Sequence, residues 1–580
     1  MKKVLLSILL IGILGLAQKA VACTNFLITK GATADGSTIV TYNADSHLLF
    51  GELYFWPAAD WPAGSKVDIY EWDTGKYLGQ IDQVPHTYQV VGNMNENQVI
   101  IGETTYGGRE DLQHQPGAVI DYGSLIYITL QRARTARDAI RIMADLMDKY
   151  GYYSEGESFS IADPNEVWIM EVIGKGKYEK GAVWVAVRIP DGYVSAHANQ
   201  ARITTFEYQK ENRWDDPNAT VFNSPDVISF ARKLGYKGSD EDFSFSDFYA
   251  PVDFGGARFC EMRVWSFFKS INKNFRQNQQ YFEYAKGNLK HDKKLANGHK
   301  NVNGFCTNRM PLYIKPDHKL TVHEIMNLMR DHLEGTELDM AMDIGAGPWH
   351  MPYRPRPLTW KCCGHTYFNE RTTATQQTGF TFVAQARSWL PNEIGGLFWF
   401  GVDDAASTVY VPIYVGIKHP PESYAVGNGS MEKWSDNAAF WVFNQVSNLA
   451  YMRYDSIHPY IEKYQQQLEE KYIAYTPAVD LAANTLYDQD PDLARDFLTD
   501  YSVCTADKTV EFWKNLYHFL FMKFKDFNIM KSKGMKIIDN GNGKGIPLFP
   551  YQPGYSKEYY KVIVEKTGKK FLYPEEKKKH

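Results

Sequence analysis

The sequence predicts an α+β fold, and three observations carry that prediction. Two stretches, 23–45 and 86–105, read as strand pairs closed by turn signals. An amphipathic helix follows near 130–147, and strand-like alternation resumes over 158–174 and 181–196. Strands, then helix, then strands is the order a layered fold requires.

The first pair opens on Cys23-Thr24-Asn25-Phe26-Leu27-Ile28, passes the Asp35-Gly36 turn and returns through Tyr42-Asn43-Ala44 to Asp45. Asp-Gly between apolar runs is a hairpin signal, and a hairpin of this length brings Asp45 back toward Cys23. The second pair turns at Asn93-Met94-Asn95-Glu96-Asn97. In the helix, Leu130, Ala133, Arg137, Ile140, Met143 and Met147 recur at helical spacing. Thr135 and Asp138 form a capping box, and Gly151 marks the stop. The later strands are joined through Gly174-Lys175-Gly176. Beyond about residue 430 the chain reads as helix again, over 436–454, 461–475 and 509–527.

Composition narrows the function classes. With 44% apolar and 23% charged residues in 580, a multi-span membrane protein, a collagen-like chain and a disordered chain are all excluded. The 68 acidic and 63 basic residues leave no basic surplus of the kind a nucleic-acid partner needs. No phosphate-cradling glycine motif is present.

The first twenty-two residues read as an export signal. Lys2 and Lys3 precede an apolar run over 4–16, and Ala20-Val21-Ala22 supplies the small-x-small site that signal peptidases accept. The run is shorter than the ~20 residues a bilayer span requires. The expected mature protein is periplasmic or extracellular, without stable membrane insertion once the signal is removed. Cleavage after Ala22 makes Cys23 the first residue.

Three readings of Cys23 compete. It is one of six cysteines, and exported proteins often pair them. A second reading is lipid attachment, although Ala20 stands where lipoprotein processing favours a larger aliphatic residue. Thr24-Asn25-Phe26-Leu27-Ile28 also begins a strand at once, where a lipid anchor leads into a polar tether. The third is an N-terminal nucleophile. An α-amine titrating near ~8 can take the proton of a thiol titrating near ~8.5, so one residue supplies nucleophile and base. Asp45, returning along the hairpin, would orient that amine.

Cys23-Thr24-Asn25, the 30–36 turn and Tyr42-Asn43-Ala44-Asp45-Ser46 resemble the start of the dipeptidase A family of cysteine N-terminal-nucleophile hydrolases. These are relatives of choloylglycine hydrolase and penicillin V acylase. The likeness continues in order through Gly102-Glu103-Thr104-Thr105, Ala196-His197-Ala198-Asn199, Gly335-Thr336-Glu337 and Tyr410-Val411-Pro412-Ile413-Tyr414, covering roughly 23–465. It implies a four-layer αββα sandwich and hydrolysis of dipeptides through an acyl-enzyme, with no cofactor and no metal. It implies Cys23 as nucleophile and base, Asp45 as the partner of its amine, Asn199 as an oxyanion donor and Arg258 as support for the nucleophile. Arg263 lies close enough to be the equivalent of that arginine.

One departure matters. The bile-salt and penicillin relatives carry an arginine three residues before the aspartate, and here that place is Tyr42. A tyrosine supplies no fixed charge, which counts against direct acylase activity. Two rival functions stay open: an amidase of the same fold acting on N-acyl amino acids or conjugated bile acids, and a Cys23-lipidated binding protein without catalysis. The expected partner is a dipeptide or another small amide, and the sequence assigns no oligomeric state.

The resulting division is a leader, 1–22; a catalytic domain, 23–430, with a surface insertion at 276–304; a helical extension packing on the core, 431–532; and a lysine-rich tail, 533–580. His47 and His197 read as structural, because the mechanism leaves no role for a histidine. Cys362-Cys363 reads as a vicinal pair, a disulfide or a metal ligand in principle, but no zinc-type Cys/His spacing surrounds it. With Cys23 free, five cysteines permit at most two disulfides.

Overall fold

The computed structural model describes residues 23–292 and 305–574. The leader, part of the 276–304 segment and the last residues of the tail lie outside the described residues.

Among the described residues two large antiparallel sheets form. The first runs in the spatial order Tyr313–Ile314, Val194–His197, Asn25–Ile28, Thr38–Asp45, Thr378–Ala386, Gly396–Val402 and Val411–Tyr414. The hairpin read from the sequence is its centre: Leu27 faces Val40, and Thr24 and Asn43 exchange backbone hydrogen bonds of 3.2 and 2.9 Å. Every residue of Thr38–Asp45 is buried, because both faces of the strand are covered. Its pairing with Thr378–Ala386 slips between Ala44 and Asp45 and sets Asp45 opposite Thr378. Such irregularities re-aim a side chain at a strand end.

The second sheet runs Val221–Asn223, Ala182–Arg188, Val167–Gly174, Gly156–Ala162, Ile100–Gly107, Met94–Asn95, Val90–Val91 and Phe55–Trp56. The alternation read as one unit over 181–196 is therefore two strands in different sheets. Pro190 and the Asp191-Gly192 turn divide them, with the Tyr193 N–H donating to the Pro190 carbonyl at 3.1 Å.

The two sheets are in contact, and one close approach lies at Asn25. A Cβ on Gly102 would stand 2.3 Å from Asn25 Oδ1, so only glycine admits the approach. Asn25 Nδ2 donates to the Glu103 carbonyl at 2.8 Å across the same gap. His197 closes the next layer, its Nδ1 bonded to Thr104 Oγ1 and its Nε2 to Ser160 Oγ, both at 2.7 Å. Burial pushes His197 down to about 3, so it bridges as a neutral ring and its role here is structural.

Helices Tyr122–Leu130 and Ala136–Tyr150 pack on the second sheet. Thr135 Oγ1 accepts from the Asp138 N–H, the Asp138 carboxylate accepts from the Arg134 N–H, and Gly151 ends the helix at φ 78°. The buried stripe includes Ala139, Ile140, Met143 and Met147. On the first sheet lie Met262–Ile271 and, further along the chain, Ala439–Tyr451, Tyr454–Tyr487 and Pro491–Lys523.

Ala439–Tyr451 is shorter than the 436–454 the sequence pattern suggested, the last two are longer than 461–475 and 509–527, and Tyr454–Tyr487 runs through Pro459 and Pro477. Each interior proline costs about 3 kcal/mol. Burial of Ile457, Ile461, Val479 and Ala483 along the same helix offsets that cost, at roughly 1.5–3 kcal/mol for each large side chain. These helices also cover Gly396–Val402 and Val411–Tyr414, so they form an outer cover of the first sheet. The described part of 276–304 packs inward. Helix Gln279–Ala285 buries Tyr284 and stacks Phe282 on Trp265, 4.4 Å between centroids. No helix of the described residues is long and apolar enough to cross a membrane.

Candidate active site

Cys23 stands just before the first strand, 1% exposed, beside a cavity of about 600 Å³. Its Sγ lies 3.4 Å from Tyr42 Oη and 3.8 Å from Glu103 Oε1. Burial pushes the thiol well above its ordinary value, and the Glu103 and Asp45 carboxylates push it further. The thiol therefore rests protonated and needs a base to react.

Arg263 holds the backbone of Cys23. From helix Met262–Ile271 it donates to the Cys23 carbonyl at 2.5 Å, Thr24 Oγ1 at 2.7 Å, the Ala198 carbonyl at 3.1 Å, Asn199 Oδ1 at 2.9 Å and the Phe259 carbonyl at 2.9 Å. Burial and the neighbouring Arg371 push its guanidinium down to about 10, still charged near neutral pH. The helix grows out of a π-turn over Gly256–Glu261, a feature that recurs where a side chain must be re-aimed at a functional site.

The four residues carried over by resemblance fall in different places. Asp45 is fully buried beside Cys23, salt-bridged to Arg371 and accepting from Thr378 Oγ1 at 2.6 Å. Burial raises its carboxyl while Arg371 and Thr378 pull it back. Asn199 sits at φ 63°, a left-handed conformation asparagine tolerates better than most residues. It joins the sheets, its Nδ2 donating to the Thr105 carbonyl at 2.6 Å while its Oδ1 takes Arg263. Arg258 does not join this group. It salt-bridges Glu370, with Nε at 3.0 Å, and lies over the Phe368 ring. The arginine touching Cys23 is thus Arg263, because Glu370 captures Arg258.

The site also contains groups that received no role from sequence. Tyr42 donates to Glu103 Oε1, and behind Glu103 lies Glu157, which accepts from Thr105 Oγ1 at 2.9 Å. Burial pushes both carboxyls up, Glu103 to about 7; Glu103 raises Glu157 further, while the hydrogen bond from Glu157 pulls Glu103 back, as two adjacent buried acids that resist double ionisation share a proton. The signal available in sequence was a lone acid within the strand Ile100–Gly107, in a layer otherwise apolar or hydroxylic. Asp73 also lines the cavity and accepts from Tyr122 Oη at 3.0 Å. Tyr54, Trp56, Trp72, Tyr127 and Phe380 form apolar walls. His47 lies on the lining too, and burial lowers its pKa.

Among the described residues no cluster of three or more His, Cys, Asp or Glu side chains is arranged to hold a metal ion. All six cysteines are free, and the Cys362 and Cys363 sulfurs lie 3.2 Å apart at the tip of an exposed hairpin.

The site thus sets a buried thiol, with its backbone carbonyl held by Arg263, beside acids at a cavity, and comparison with known sequences decides the family. The profile of peptidase family C69 matches residues 54–467. The chain belongs to peptidase family C69. The match spans Glu103, Asn199, Arg263 and Arg371; it begins after the Cys23–Asp45 hairpin and ends within helix Tyr454–Tyr487. Relatives of this C69 chain include a probable dipeptidase of Salmonella dublin, 24% identical over 69% of this chain and 82% of the relative. A probable dipeptidase of Latilactobacillus sakei is 22% identical over 84% and 93%, respectively. A probable dipeptidase B of Streptococcus pyogenes serotype M1 is 22% identical over 88% and 94%.

Proposed function

We propose that the chain is an exported cysteine dipeptidase in which Cys23, freed by cleavage after Ala22, is an N-terminal nucleophile. The observation that carries the reading is the Cys23 thiol itself: buried at the cavity, with its backbone carbonyl gripped by Arg263 and its sulfur beside Tyr42 and Glu103. The names of the relatives and the family match support the peptide substrate. We read the paired sheets and the helices on their outer sides as the four-layer αββα sandwich.

In this mechanism the freed α-amine takes the thiol proton and Sγ attacks the substrate carbonyl carbon. The oxyanion faces the second N–H of Asn199, a preorganised donor of a kind worth about 3–4 kcal/mol in related chemistry. The ammonium then protonates the leaving amine as the C–N bond breaks and a thioester remains. Water, deprotonated by the same amine, hydrolyses the thioester and restores the thiol. Asp45 and Arg263 hold the strand end that carries Cys23.

The acidic lining disfavours the amidase alternative, since N-acyl amino acids and conjugated bile acids are anions. Burial of the sulfur disfavours lipid attachment, which needs it in a bilayer. Intact mass and N-terminal sequencing of protein exported by its native host test the reading. A chain starting at unmodified Cys23 is expected, with dipeptide hydrolysis lost at least ~10³-fold in Cys23→Ala and Cys23→Ser. A chain beginning elsewhere, or carrying diacylglycerol on Cys23, overturns it.

A further inference from the structure

The reading of Cys23 as nucleophile places the scissile carbonyl against Sγ. The α-nitrogen of the residue whose carbonyl is attacked then lies two bonds away, about 2.5 Å from that carbon by standard backbone geometry. Glu103 Oε1 is 3.8 Å from Sγ, so the carboxyl and that α-nitrogen occupy the same neighbourhood.

The Glu103 side chain is built for a ligand it does not yet hold. It is 1% exposed, Tyr42 donates to its Oε1, and its Oε2 is buried with no partner beyond the neighbouring acid Glu157, whose own Oε2 is equally unmet. An unmatched buried carboxyl oxygen is costly, and sites that keep one usually use it. The charges around it point to a cation. The ionisable acids on the cavity lining are Asp45, Asp73 and Glu103, and no lysine or arginine appears on that lining among the described residues. Asp45 is already engaged by Arg371 and Thr378, which leaves Glu103, with Asp73 nearby, to set the sign of the field.

Resting on the dipeptidase reading, we infer that Glu103 anchors the free α-ammonium of the substrate and is the residue through which the site rejects peptides whose amino terminus is blocked or missing. Specificity of this kind is strong when a buried group is left unpaired by the wrong substrate.

The test uses the mature enzyme with leucyl-glycine and with 4-methylpentanoyl-glycine, the same molecule lacking the α-amine. The wild type should prefer leucyl-glycine by at least 100-fold in kcat/KM, and Glu103→Gln should shrink that preference below fivefold. In calorimetry the non-turning Cys23→Ala protein should bind leucyl-glycine at least 30-fold more tightly than the deaminated analogue. Equal cleavage of the two by the wild type, or an unchanged preference in Glu103→Gln, overturns the anchor while leaving the peptidase reading intact. Hydrolysis of neither by an enzyme with a free Cys23 terminus overturns the dipeptidase reading, and the anchor with it.

Discussion

Cys23 lies between two walls built on opposite principles. On the side of the first sheet, buried charge is matched or saturated: Asp45 meets Arg371 and Thr378, and Arg263 spends its donors on carbonyls, Thr24 and Asn199. On the side of the second sheet, an acid meets an acid, with Glu103 against Glu157 and the uncharged hydroxyls of Tyr42 and Thr105 and the Cys23 thiol donating to the pair. The first wall is what rigid positioning of a nucleophile requires. The second is a local violation of the rule that buried charges are paired, and such violations concentrate where a ligand completes the set. One wall therefore fixes Cys23, and the other waits for substrate.

The comparison breaks first at Arg263. Arg263→Ala removes the donors to Cys23, Thr24, Ala198, Asn199 and Phe259 and leaves several buried acceptors unmet. At about 1–3 kcal/mol for each unmet group, partly relieved by relaxation, the expected loss is about 4–5 kcal/mol in denaturant unfolding. Dipeptide hydrolysis should fall at least ~10³-fold, since about 4 kcal/mol of positioning corresponds to that factor. A loss of stability under 1 kcal/mol would show that the wall is not held by this residue.

Asp45→Asn is the next largest. It leaves the Arg371 guanidinium buried without its anion while keeping an acceptor for Thr378. Breaking one half of a buried ion pair costs about 3–5 kcal/mol, and the retained hydrogen bond puts this change near the lower end, about 3 kcal/mol. A midpoint shift in urea with an unchanged slope is the expected signature.

Both effects concern contacts that no local pattern reveals. The 23–45 hairpin, the Thr135 cap and the Gly151 stop were legible because each depends on neighbours within a few residues: a turn dipeptide, an oxygen three residues from its N–H, a glycine at positive φ. The site's partners are remote instead. Arg371 reaches Asp45 across 326 positions, and Tyr42 reaches Glu103 across 61. Arg258 and Arg263 are equally good candidates in sequence, and the position of Glu370, 112 residues beyond Arg258, decides between them. The long C-terminal helices were read short for the same reason: packing on the first sheet carries Tyr454–Tyr487 through two prolines that local propensity would treat as stops.

The second wall makes a prediction of opposite sign. Glu103 has a folded pKa of about 7 against 4.5 in the free side chain, so the folded state holds a proton that the unfolded state releases. A group raised in this way contributes most below 4.5, and that contribution is lost as pH rises through about 7. Glu103→Gln removes the dependence. At pH 8 the variant should be more stable than the wild type by about 3 kcal/mol, with the difference vanishing toward pH 4.5. Thermal unfolding across pH 4.5–8 measures it. A wild-type curve flat over that window would show that Glu103 finds a compensating partner after folding.

Arg258→Ala is the smallest perturbation and the sharpest control on the division between walls. Its ion pair with Glu370 keeps side-chain exposures of 12% and 11%, and its guanidinium is engaged there rather than at the Cys23 carbonyl, which Arg263 holds. The pair is not idle, because Glu370 immediately precedes the Arg371 that holds Asp45, and Arg258 also covers the Phe368 ring. Loosening that segment should cost about 1 kcal/mol, near the upper end for semi-exposed pairs, and should change kcat/KM less than about threefold. The double variant with Asp45→Asn then carries the argument further. If Glu370 steadies Arg371, removing Arg258 should matter less once Asp45 no longer needs that arginine, and the two losses should fall short of additivity by about 0.5 kcal/mol or more. Strict additivity would mean that Arg258 supports the hairpin before Glu370 and nothing beyond it.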